Sequence, residues 1–198
     1  KDFALKIYSG DLERNLTSLN HELNAFEILA TSRINIANLN AFTEKFPSIS
    51  YSWIEGSLPQ RNSSTTNAIS ECIEELSSLY KLNPSELIAI DAIESSADLH
   101  HQLINRIDIL QAINGFPEEW IDKFILREKE LRILLEDGIS FGFDILSFSD
   151  FGHHNMLRSK NGKYYFVDFE FFGKDSTVKL FGDLFSHPKG SLTSQELK

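Results

Sequence analysis

At 198 residues with 41% apolar side chains, the chain can bury a sizeable core as one large domain or two small lobes. Its formal charge of −10 speaks against a nucleic-acid binder, which would carry a basic patch, and its single cysteine, Cys72, excludes a disulfide framework and any cysteine-rich zinc site. No apolar run approaches the ~20 residues that a bilayer span needs, so a cytoplasmic protein without a membrane partner is the default expectation.

Residues 2–8 (DFALKIY) alternate apolar side chains around Lys6 and predict a strand. Ser9-Gly10-Asp11 predicts a turn, and 12–31 a helix in which Leu19, Leu23, Phe26 and Leu29 recur at helical spacing and leave Glu22 beside the apolar stripe. The region 32–50 is mixed, and ISYSWIE (49–55) reads as a strand ending at Glu55-Gly56. Residues 59–66 (PQRNSSTT) read as a polar loop whose Ser and Thr side chains can cap the next helix. That amphipathic helix, over 67–82, carries Ile69, Ile73, Leu76 and Leu79 on one face and stops at Asn83-Pro84. The stretch 85–114 is helical in period, Gly115-Phe116-Pro117 breaks it, and 117–137 reads as one long helix between Pro117 and Gly138. Strand content is expected to return only around 156–170.

The segment 147–170, SFSDFGHHNMLRSKNGKYYFVDFE, concentrates the chemistry. Asn161-Gly162 is the dipeptide favoured in a two-residue type I′ hairpin, flanked here by MLRSK and KYYFV. A loop centred on that dipeptide sets Asn155 opposite Asp168, with Cβ atoms roughly 5 Å apart. A carboxylate and an amide oxygen are hard donors suited to Mg²⁺, which takes few protein ligands and completes its shell with water and phosphate. Asp150, five residues before Asn155, is the neighbouring carboxylate. Glu170 reads either as a further metal neighbour or as a solvated hairpin exit, the second preferred because the metal needs few protein ligands. The pairs His100-His101 and His153-His154 are expected in ordinary surface and loop roles, because adjacent residues face different ways and no third ligand is spaced to complete a zinc site.

A lysine on a strand, a glutamate on the next helix, Asp150 and Asn155, then Asp-Phe-Glu after a hairpin is the order of parts in protein-kinase-like phosphotransferases. The chain resembles the aminoglycoside phosphotransferase and choline kinase group of that fold. Ala4-Leu5-Lys6 resembles its phosphate-binding lysine motif and Glu22 the helix partner. SFSDFGHHNML resembles its catalytic loop, usually His-Gly-Asp-Leu-His-Pro-Gly-Asn, VDFEFFGKD its second metal-binding segment, and YSWIEG (51–56) the hinge that receives adenine.

That resemblance implies an α+β, two-lobed protein-kinase-like fold: a small strand-bearing N-lobe (1–50), a hinge (51–59) and a mostly helical C-lobe with a catalytic hairpin (60–198). It implies an ATP- and Mg²⁺-dependent phosphotransferase acting on a hydroxyl of a small molecule, with Asp150 facing that hydroxyl. Lys6 and Glu22 would serve the phosphates, the main chain near Trp53 and Ile54 the adenine, and Asn155 and Asp168 the metal. The acidic charge suits a cationic acceptor. Several positions depart from the family pattern: Phe148 stands for its histidine, Gly152-His153-His154 for His-Pro-Gly, and Lys179 for an aspartate, with Asp183 one turn on. No glycine-rich loop precedes Lys6 and the chain starts at a lysine, so it is expected to lack the opening strands and some helix after Lys198. These departures support an alternative, a catalytically weak nucleotide-binding module of the same fold.

Overall fold

The computed structural model describes residues 2–59, 63–82, 86–135 and 139–186. The chain divides into two compact units, Lys1–Ala92 with Asp144–Lys198, and Ile93–Phe143. The Asn83-Pro84 stop, the Gly138 terminus and residues 60–62 of the expected 59–66 loop lie outside the described residues, and 63–66 of that loop are already helix.

In the larger unit, β1 (Phe3–Ile7), β2 (Leu39–Thr43) and β3 (Ser48–Ser52) form an antiparallel sheet in the order β1-β3-β2, with Lys6 opposite Ile49. Strand alternation puts Phe3, Leu5 and Ile7 on the exposed face and Ala4 and Lys6 on the other. Helix α1 (Leu12–Leu29) starts where the Asp11 side chain accepts from the Arg14 amide at 2.9 Å, satisfying one of the donors a helix start leaves open. It buries Leu19, Ala25, Phe26 and Leu29 in the same core as Tyr8 and Ile49. Helix α2 (Ser63–Leu82) adds Ile69, Leu76 and Leu79 of the predicted stripe to that core together with Cys72, while Ile73 is partly buried against it.

Two further small sheets carry the functional loops. Strands β4 (Gly56–Ser57), β6 (Met156–Ser159) and β7 (Tyr164–Phe166) pair in the order β4-β6-β7, and β5 (Ile145–Ser147) pairs with β8 (Gly173–Asp175). The β5/β8 pair was not expected: each strand has three residues, too few to display alternation, and β5 is buried throughout. Helix α5 (Thr177–Ser186) follows β8.

The hairpin register differs from the sequence expectation by one residue. Met156 pairs with Phe166 and Arg158 with Tyr164, so Asn155 lies opposite Val167, whose amide donates to the Asn155 carbonyl at 3.0 Å, and not opposite Asp168. A type I′ turn needs positive φ at both central residues, but only Gly162 (φ +83°) has it. The Asn161 side chain instead accepts from the Ser159 hydroxyl at 2.5 Å and the Lys163 amide at 3.2 Å, which draws Lys160 into a three-residue loop closed by left-handed Gly162.

The smaller unit pairs α3 (Ser96–Ala112) with α4 (Glu118–Leu135), tied at one end by the Phe141 amide donating to the Glu94 carbonyl at 2.6 Å. The expected helical stretch 85–114 becomes helix only from Ser96, because Ser95 and Asp98 form a reciprocal capping box that fixes the start there. His100 is not a plain surface residue: its Nε2 is 2.6 Å from the buried Glu128 carboxylate, which also takes Arg132 at 2.8 Å. No helix among the described residues is long and apolar enough to cross a membrane.

A methyl group added at Gly173 would run into the backbone of Ile88 and Ala89, whereas one at Gly162 meets open space but carries a left-handed φ. Urea denaturation should therefore show Gly173→Ala losing about 1–3 kcal/mol by overpacking and Gly162→Ala only about 1 kcal/mol of backbone strain.

Candidate active site

Lys6 reaches from the middle of β1 into a nest of carboxylates. Its Nζ lies 2.8 Å from Glu22 Oε2, 2.5 Å from Asp168 Oδ1 and 3.1 Å from Glu170 Oε2. Glu22, on the core side of α1, is 1% exposed, and a carboxylate taken out of water is costly unless it is paired and hydrogen-bonded. Two groups on one face of β1 satisfy it: the Lys6 ammonium, and the Tyr8 hydroxyl two residues on, which donates to Glu22 Oε2 at 2.5 Å. Burial lowers the proton affinity of Lys6, but Glu22 and Asp168 outweigh it and hold the ammonium well above its ordinary range. Burial and then Glu22 push the Tyr8 phenol up in the same way.

Asp168 owes its position to its backbone. Directly after β7 its φ is +69°, so the chain turns and sends the carboxylate, 42% exposed, to Lys6 while Phe169 drops into the core. Phe169 packs edge-on against Phe26 of α1 with centroids 5.6 Å apart, and within 5.2 Å of Phe148. His21, beside Glu22 on α1, donates from Nδ1 to the Phe172 carbonyl at 2.6 Å; a carbonyl only accepts, so this nitrogen bears the proton. Burial holds the His21 imidazole below its ordinary range, which keeps it neutral.

A second group forms on the loop between β5 and β6. Asp150 follows Ser149, itself left-handed at φ +57°. The Asn155 amide nitrogen donates to the Asp150 carbonyl at 2.8 Å and lies 3.4 Å from its Oδ2, where His154 Nε2 also donates at 3.2 Å. With its nitrogen so engaged, Asn155 has its amide oxygen as acceptor, which fits it and Asp168 to a hard cation with few protein ligands. No cluster of three His, Cys, Asp or Glu side chains able to hold a metal occurs among the described residues.

Lys6, Glu22 and Asp168 therefore converge directly, and Asp150 and Asn155 form a second cluster joined to the first through the Asn155–Val167 bond. Trp53 and Ile54 belong to neither. They line a 230 Å³ hollow with Ile36, Ala37 and Tyr165, and the Trp53 amide already donates to the Asp2 carbonyl at 3.2 Å, so that amide is not the one a purine edge would meet. Phe148 braces the loop by packing: its ring lies 5.2–6.1 Å from those of Phe151, Phe166, Phe169 and Phe172. The sequence reading missed Tyr8 and His21, and Glu170, preferred there as a solvated hairpin exit, is instead partly buried and paired with Lys6. Tyr8 was detectable, since it shares the Lys6 face of the strand; Glu170 was not, because only the chain reversal at Asp168 brings it to Lys6.

Lys6 and Tyr8 both hold a proton more tightly folded than unfolded, so their stabilisation is intact below about pH 10 and is lost as pH rises, at about 1.4 kcal/mol per unit for each. His21 has the opposite sign: its contribution is present above about pH 6.5 and is lost as pH falls. Burial also raises the Cys72 thiol, so urea midpoints between pH 5 and 11 should show a plateau from about pH 7 to about pH 9 and then an alkaline limb, shallower in Tyr8→Phe.

No family model matches this chain, and no curated protein sequence does. Solved structures match over nearly all of it. Choline kinase LicA from Streptococcus pneumoniae aligns with a TM-score of 0.64 at 19% identity, over 98% of this chain and 64% of its own. The gentamicin complex of APH(2″)-IIa gives 0.62 at 14%, over 98% and 67%, and ADP-bound aminoglycoside phosphotransferase APH(2″)-Ib gives 0.58 at 16%, over 98% and 68%. The chain thus spans less than two thirds of the LicA length. At these identities the likeness is one of fold, and the fold of this chain is the α+β, protein-kinase-like fold of these structures.

Proposed function

We propose that the chain binds ATP with Mg²⁺ and transfers the γ-phosphoryl group to a hydroxyl of a small molecule. The observation that carries this reading is the meeting of Lys6, Glu22 and Asp168 at the mouth of the hairpin whose other strand follows directly on Asn155, five residues after Asp150. Lys6 binds phosphate oxygens and Glu22, locked by Tyr8, holds the ammonium on target. Asn155 and Asp168 hold the cation, which when bound offsets charge on the phosphates. Asp150 accepts a hydrogen bond from the acceptor hydroxyl and aligns it; His154 and Asn155 fix the carboxylate for that task. In this reading residues 1–50 bring the phosphate lysine, 51–59 the adenine contacts and 60–198 the catalytic and metal residues. The solved neighbours include LicA with AMP and a streptomycin-ATP-APH(2″)-IIa ternary complex, which supports a nucleotide here; the −10 charge favours a cationic acceptor.

One observation favours a nucleotide-binding module without transfer: three carboxylates already claim the Lys6 ammonium, so phosphate must displace Asp168 or Glu170 from it. Calorimetric titration with ATP, with and without Mg²⁺, separates the readings when joined to an acceptor screen. The expected result is metal-dependent binding that Asp168→Ala abolishes, with Asp150→Asn binding ATP normally while turnover falls roughly 10²- to 10⁴-fold. Binding without turnover by wild-type protein would support the module, and no binding by folded protein would overturn both.

A further inference from the structure

A buried cation stands behind the Asp150 loop. Lys179, in the first turn of α5, is 8% exposed. Its Nζ donates to the Ser149 carbonyl at 2.7 Å, to Ser149 Oγ at 3.1 Å and to Asp183 Oδ2 at 2.5 Å, with Asp175 Oδ2 at 3.9 Å. The single Ser149 hydroxyl proton is shared between the Ile90 carbonyl and Asp175 Oδ2, each at 3.0 Å. Asp175 is fully buried and takes the Ser176 amide on its other oxygen at 2.8 Å.

We propose that Lys179 is a positioning residue for Asp150, clamping the Ser149 carbonyl so that the peptide leading into Asp150 keeps one orientation. The Ser149 carbonyl and the Asp150 nitrogen belong to one planar unit, so holding the oxygen fixes the plane from which the Asp150 side chain departs. The hold is needed because Ser149 is left-handed, a conformation that a side chain with a Cβ disfavours and that persists only where its surroundings over-determine it. A carboxylate at position 179 could not grip a carbonyl, since both groups only accept. In this chain the anchor is therefore a donor, and Asp183, one turn along α5, together with Asp175 balances its charge. The proposal rests on Asp150 facing the acceptor hydroxyl.

The test compares wild type with Lys179→Met, Lys179→Arg and Lys179→Met/Asp183→Asn, the last removing the stranded carboxylate in case the single change does not fold. Two readouts are taken on folded protein: amide exchange of peptides covering 147–156 against those of α1, and kcat and KM for phosphoryl transfer. The expected result is roughly tenfold faster exchange in 147–156 alone, with kcat down about 10²-fold at unchanged KM for ATP, and recovery of most of both in Lys179→Arg. Exchange in 147–156 equal to wild type in a folded variant lacking the ammonium would overturn the proposal, as would kcat unchanged per folded molecule. Should wild-type protein transfer no phosphate to any acceptor, the phosphotransferase reading fails by itself, and the exchange comparison alone decides the clamp.

Discussion

A carboxylate without water organises this molecule. Glu22 has 1% of its side chain exposed, and where an unpaired buried charge costs several kcal/mol the fold must bring a cation and donors to it. Lys6 and Tyr8 supply them from one face of β1, which fixes the helix against the sheet as it fixes the charge. The helix is held at a second point by His21 on the Phe172 carbonyl, so α1 is bound both to the strand that carries the lysine and to the segment after Asp168. Three acidic groups around one ammonium leave Lys6 charged through the whole physiological range, the state in which it can meet phosphate oxygens.

The second constraint is aromatic. Phe148, Phe151, Phe166, Phe169 and Phe172 pack under both polar clusters, and four of these rings lie within two or three residues of Asp150 or Asp168. Each of those carboxylates adjoins a left-handed backbone: Ser149 just before Asp150, and Asp168 itself. Reversing the chain at these points lets one residue face the polar cluster while its neighbour enters the core. The rings hold the loops from below by shape, and on the Asp150 side the Lys179 cluster grips the backbone by charge. Phe148 holds the start of the loop by packing, through ring contacts with Phe151, Phe166, Phe169 and Phe172.

Part of the site was legible in the order of its residues, a lysine on a short strand, a glutamate on the next helix, then Asp150, Asn155 and Asp168. The direction of the first two was not, because the alternation of β1 would bury Phe3, Leu5 and Ile7 and leave Lys6 in solvent, whereas those three are exposed and Lys6 turns inward to the buried Glu22. The hairpin was legible in place but not in register. Asn161 and Gly162 mark a turn, but the choice between two and three loop residues rests on where the Asn161 side chain finds its donors, Ser159 and Lys163, and that choice moves Asn155 from Asp168 to Val167. The smaller unit shows the same division: the period of 85–114 suited a helix throughout, and only the Ser95–Asp98 capping box decided where it begins.

By itself the sequence determined the fold class, the inward stripe of α1, most of that of α2, and the order of the charged residues, because these depend on spacing along the chain and on which side chains avoid water. Tertiary structure alone decided that Glu170 would reach Lys6, that His100 would meet a buried Glu128, and that Lys179 would lie against the Ser149 carbonyl. Those contacts join residues far apart in sequence or across reversals set by a few left-handed residues. Their partners are chosen by which charges burial leaves to be neutralised, and no period in the chain records that.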